Sequence, residues 1–144
     1  MISYWSILRI LFSLIFTLFN IYITQFIKAL EDKKNCTLSK GWRITNGKLL
    51  SSLLMIIGLV NIVIPANKFL SSLPLIGSSY VLLFSLALFS NLFIVNRLAI
   101  NVSESESSKC QVKGYDMILN FFNNTTFTEC MYYTVIVSVL FFYL

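Results

Sequence analysis

Hydrophobic positions in this chain come in long unbroken runs rather than in alternation. Residues 10–27, 49–67, 69–96 and 130–144 contain no charged side chain. A helix rises about 1.5 Å per residue, so about 20 apolar residues cross a hydrocarbon core about 30 Å thick. The pattern predicts an all-α integral membrane domain with four transmembrane helices, over about 7–28, 49–66, 74–96 and 126–144, joined by polar loops 29–48 and 97–125. The last run is the shortest. As a helix, 130–144 covers about 22 Å, so it crosses only if it begins near Thr126 or if the bilayer thins; a re-entrant segment is the alternative.

The runs differ in their polar residues. In the first, Ser13, Thr17, Asn20 and Thr24 follow at intervals of four, three and four, and Ser6 and Lys28 extend the series, which places all six on one helix face. Phe12, Phe16, Phe19 and Phe26 make a second stripe. Polar groups avoid lipid, so the Ser/Thr/Asn face is expected against another helix or a partner chain. The competing reading is a water-filled path, but no acidic residue or histidine accompanies the stripe.

The second run carries Gly58 and Asn61 and ends at Pro65. Ser51 and Gly58, seven apart, offer a smooth strip for a neighbouring helix, without a full small-xxx-small repeat within that span. Residues 66–73 are short and hold only Lys68 as charge, and Pro74 suits the first turn of a helix. Spans two and three are therefore expected to form a tight antiparallel hairpin. Span three has the most small residues (Gly77, Ser78, Ser79, Ser85, Ala87, Ser90), together with Asn91, and is expected to lie centrally. In the last loop, 103–109 reads as solvated and 117–122 as a short interfacial helix.

Composition narrows the class. Hydrophobic residues make up 57% and charged residues 12%, against about 45–50% and 25% in soluble domains. A soluble fold of this length has too small an interior to hide that surface, whereas lipid can hold it. Four spans use nearly all of residues 1–144, which predicts a single domain. Arg9 and the first run resemble a signal peptide, but the run is long and no small-x-small site follows, so it is read as a retained span.

Charge addresses orientation. The first loop region holds Lys28, Lys33, Lys34, Lys40, Arg43 and Lys48, and the third holds Arg97, Lys109 and Lys113; the opposite side has only Arg9 and Lys68. That bias predicts loops 29–48 and 97–125 on the cytoplasmic side, with basic residues meeting anionic headgroups and Trp42 as an interfacial anchor. Glycosylation acceptor patterns at Asn35, Asn101, Asn123 and Asn124 lie on that same side and argue the other way. So do the candidate disulfide thiols Cys36, Cys110 and Cys130.

No chemistry of catalysis is legible. There is no histidine, so imidazole ligands, Ser–His–Asp triads and histidine relays are excluded. No C-x-x-C, glycine-rich phosphate loop or intraspan carboxylate pair occurs. No enzyme activity, catalytic residue, metal or cofactor is expected, and no nucleic-acid partner, because most aromatics lie within the spans. The residues singled out for helix packing or partner contact are Ser13, Thr17, Asn20, Thr24, Gly58, Asn61 and Asn91. The three asparagines could instead face a pore in a homo-oligomeric channel or carrier, although every acidic residue lies in or beside a loop.

Lys40-Gly41-Trp42-Arg43-Ile44-Thr45-Asn46-Gly47-Lys48, with Ile64-Pro65-Ala66-Asn67-Lys68 and Leu73-Pro74-Leu75-Ile76-Gly77-Ser78-Ser79, resembles small multi-pass membrane proteins of large DNA viruses of algae and amoebae. The resemblance covers about residues 40–96 and is one of style. It implies a virion inner-membrane protein, or one of a host endomembrane, tied to capsid proteins, and it makes oxidised cysteines on the cytoplasmic side plausible. The sequence reading is thus a non-enzymatic structural membrane protein, a subunit of a larger assembly whose partners are the lipid bilayer and other membrane or capsid proteins. A supernumerary subunit of an organellar respiratory complex and a small oligomeric channel or carrier are the alternatives.

Overall fold

Apolar runs of this length fold as helices because every backbone N–H and C=O then finds its partner within the segment, which lipid cannot supply. The computed structural model describes residues 4–33, 41–66, 68, 74–104 and 114–144. Among these the protein is all-helical: α1 (Tyr4–Glu31), α2 (Trp42–Val63), α3 (Pro74–Glu104), α4 (Asp116–Asn123) and α5 (Phe127–Tyr143). Helices α1, α2 and α3 are each long and apolar enough to cross a membrane. Helices α4 and α5 meet the same test only as a pair, bent by 110° at the break between them, which gives up to four crossings. Alone, α5 has 17 residues and is about 26 Å long.

Two helices outrun their apolar segments. Helix α2 begins at Trp42 rather than near 49, and α3 continues to Glu104 rather than stopping near 96. Charge marks where hydrocarbon would end, but the hydrogen-bonded backbone has no reason to unwind there. Asn101, expected in a loop, therefore lies within α3.

Neighbouring long helices run antiparallel. The most extensive pairing is α1 with α2; α2 also packs on α3, α3 on α4 and α5, and α1 meets α5 more lightly. The tight hairpin expected of spans two and three is thus outdone by the first pair. Glycine placement favours that pair: Gly58 faces α1 alone, whereas Gly47 sits between Ile27 of α1 and Ile94 of α3 and serves both contacts. Helix α3 touches α2, α4 and α5.

At the other side of α3 the core is aromatic. Phe84 stacks on Phe141 with ring centroids 4.3 Å apart, Phe16 reaches both rings, and Phe142 meets Phe84 edge-on. Helix α4 turns Ile118 and Phe122 inward and Met117 and Phe121 outward, the division a short amphipathic helix requires. Asn96 of α3 holds the corner after it, its Nδ2 donating to the carbonyls of Phe122 and Thr125. Thr126 caps α5 by accepting the Glu129 N–H at 3.2 Å.

Candidate functional site

Small and polar residues let α1 and α2 approach. A Cβ placed on Gly58 would collide with Thr17 Oγ1 and come within 3.1 Å of Phe16 Cδ1, so any side chain there forces α1 residues to shift. One turn further along α2, Asn61 Nδ2 donates to Ser13 Oγ at 2.7 Å. The same side chain closes the end of its own helix. Asn61 Oδ1 accepts the Ala66 N–H at 2.9 Å, a donor left over where Pro65 interrupts the backbone ladder. One buried asparagine thus fixes both a helix end and an interhelical register.

The remaining candidates divide. Asn91 of α3 accepts from Ser51 of α2 at 3.0 Å, so it bridges helices. Asn20 instead donates to Phe16 O of its own helix, and Thr24 donates to Asn20 O, each at 2.8 Å. The spacing put Asn20 and Thr24 on the polar face, yet their hydrogen bonds run along α1 and not across it. A short polar side chain on a helix reaches the i−4 carbonyl without any partner. Thr17 Oγ1 and Asn91 Nδ2 are buried with no hydrogen-bond partner.

Other positions belong to the same interface system. Gly47 and Ser51 form a small-xxx-small pair that becomes visible once α2 is extended back to Trp42. A Cβ on Gly47 would lie 3.0 Å from Ile27 Cδ1 and 3.1 Å from Ile94 Cγ2. Ser85 and Ser138 share a 3.2 Å hydrogen bond between α3 and α5. At the loop end of α1 and α2, Lys48 Nζ reaches both carboxylate oxygens of Glu31, at 3.1 and 3.0 Å. Asn96 had no sequence signal beyond closing a long uncharged run.

Trp42 is exposed at the start of α2, with the Arg43 guanidinium 5.6 Å from its ring centre. Cys130 is buried and its thiol is free; Cys36 and Cys110 lie outside the described residues, as does Asn35. Among the described residues, no group of three His, Cys, Asp or Glu side chains is placed to hold a metal ion. What the arrangement can do chemically is hold helices in register. Comparison with protein-family models, curated proteins and solved structures finds no match.

Proposed function

We propose that this chain is a non-enzymatic, multi-pass structural membrane protein that serves as a subunit of a larger membrane assembly. The observation that carries this reading is where the polar side chains of the long helices are spent. Ser13 with Asn61, Ser51 with Asn91 and Ser85 with Ser138 join helix to helix, which favours a bundle built to keep its shape. The outer faces, with Leu11, Ile15 and Leu18 on α1 and Leu82, Leu83 and Leu86 on α3 exposed, suit lipid or the apolar flanks of neighbouring subunits. The basic residues at the loop end favour a cytoplasmic placement of that end. The resemblance to small multi-pass membrane proteins of large DNA viruses, which implies a virion inner-membrane role, makes capsid-linked proteins the leading class of partner.

A small oligomeric channel or carrier is the second reading, favoured by the buried, unpartnered Thr17 Oγ1 and Asn91 Nδ2, which a permeating species could solvate. Cross-linking and mass spectrometry on native membranes, together with ion flux in proteoliposomes, separates the two. The structural reading expects reproducible neighbours from other chains and no flux. Selective flux abolished by Asn61→Leu, without such neighbours, sinks it.

A further inference from the structure

Between α3 and α5 the surface opens into a groove of about 260 Å³ lined by Phe89, Phe127, Met131, Thr134 and Val135. Every exposed atom of its lining is apolar. Thr134 fits this because its hydroxyl is turned away, donating to Cys130 O at 2.8 Å, which leaves its methyl toward the groove. The volume lies below the roughly 300–1,000 Å³ of sites that enclose a whole small molecule; it suits part of a long thin one.

A cation lies one aromatic ring beyond the groove. Phe127 forms the wall at the start of α5 and meets Phe89 and Phe93 edge-on, at 5.2 and 5.8 Å between ring centroids. One turn along α3, the Arg97 guanidinium sits 5.2 Å from the Phe93 ring centre. Arg97 is exposed, and it is the first charged residue after the uncharged run 69–96. Among the described residues no carboxylate pairs with it; the salt bridge there is Lys48 with Glu31. Glu129 does not compensate it, because at about 100° per residue it lies on the opposite side of α5 from the groove-lining positions. A cation one ring beyond a wholly apolar slot, within the span of one lipid, complements an anion carried on a hydrocarbon tail.

We infer that this is a binding site for one anionic phospholipid: an acyl chain lies between Phe89 and Val135, and the phosphate accepts from Arg97 in the charge-assisted, forked manner that guanidinium allows. The site rests on the reading of the long helices as membrane spans. A basic residue near an anionic surface is worth about fivefold in lipid preference, so the effect is measurable.

The test uses the full chain in detergent with equal dioleoylphosphatidylglycerol and dioleoylphosphatidylcholine, and counts retained lipid by native mass spectrometry. The wild-type chain is expected to keep one phosphatidylglycerol at about fivefold preference. Arg97→Gln should bring the ratio to about one, and the groove-filling Val135→Trp should remove retention of both lipids. Met131→Trp is the second occluding variant should the first misfold by circular dichroism. Arg43→Gln, which removes a cation from the Trp42 ring and not from the rings beside Phe127, should leave the ratio unchanged. Equal retention of both lipids, an equal loss in Arg43→Gln, or full retention in folded groove-filled variants each overturns the proposal. Flotation with vesicles keeps the two readings apart: a chain that does not float sinks the spanning reading, whereas one that floats without preference sinks only the site.

Discussion

The two sides of this bundle are held by opposite means. Where α1 meets α2, the contact depends on side chains that are missing or small: Gly58 against Thr17, with Ser13 bonded to Asn61. Where α3 meets α5, it depends on bulk, with Phe84, Phe141 and Phe142 in mutual ring contact. In water both would be driven by apolar burial. In lipid that drive between helices vanishes, and close packing and hydrogen bonds remain. The first interface gains by bringing backbones together, the second by filling space between backbones held apart. They should therefore fail to opposite substitutions.

The largest effect is expected from Gly58→Leu, which forces a side chain into Thr17 and Phe16 and costs about 3 kcal/mol or separates the pair outright. Detergent-titrated unfolding followed by circular dichroism measures it, and a stability equal to wild type would break the comparison. Phe84→Ala is next, at about 2 kcal/mol. On the membrane-spanning reading that is less than the roughly 3–5 kcal/mol of a water-soluble core, since an unfolded chain in a membrane also keeps its rings in lipid. The crossed control adds volume on the aromatic side with Phe84→Trp and removes it opposite Gly58 with Thr17→Ala.

Asn61→Leu removes the bond to Ser13 and orphans the Ala66 N–H, for about 1–2 kcal/mol. Ser13→Ala removes only the first of these, about 0.6 kcal/mol, so the difference between the two variants isolates the helix-end role. The smallest effect belongs to Glu31→Gln. It breaks a partly exposed pair with Lys48, worth under about 1 kcal/mol, and should vanish in high salt. A salt-independent loss would place that pair in a drier setting than its exposure suggests.

Much of this architecture was legible along the chain, because charge-free length and helical spacing are local properties. The run 10–27 and the Ser13–Thr17–Asn20 spacing are enough to draw α1 and its inward face. What spacing cannot state is where a hydrogen bond goes. Asn20 and Asn61 look equivalent in sequence, yet one bonds along its helix and the other across to α1, and only the proximity of Pro65 distinguishes them. Gly47 was hidden by equating the end of the apolar run with the end of the helix. The bend between α4 and α5 is half legible: Asn123-Asn124-Thr125-Thr126 marks a break. Its angle, however, is set by Asn96, which comes from another helix and 26 residues earlier than Phe122.

Asn61 also gives the molecule an order of events in time. Its bond to Ser13 spans 48 residues, so the α1–α2 pair can lock while α3 is still being synthesised, and N-terminal units fold first on the ribosome. Phe16, by contrast, waits for Phe141. The aromatic side must therefore be assembled onto a pair already in register, and a defect at Gly58 would be inherited by every helix that follows.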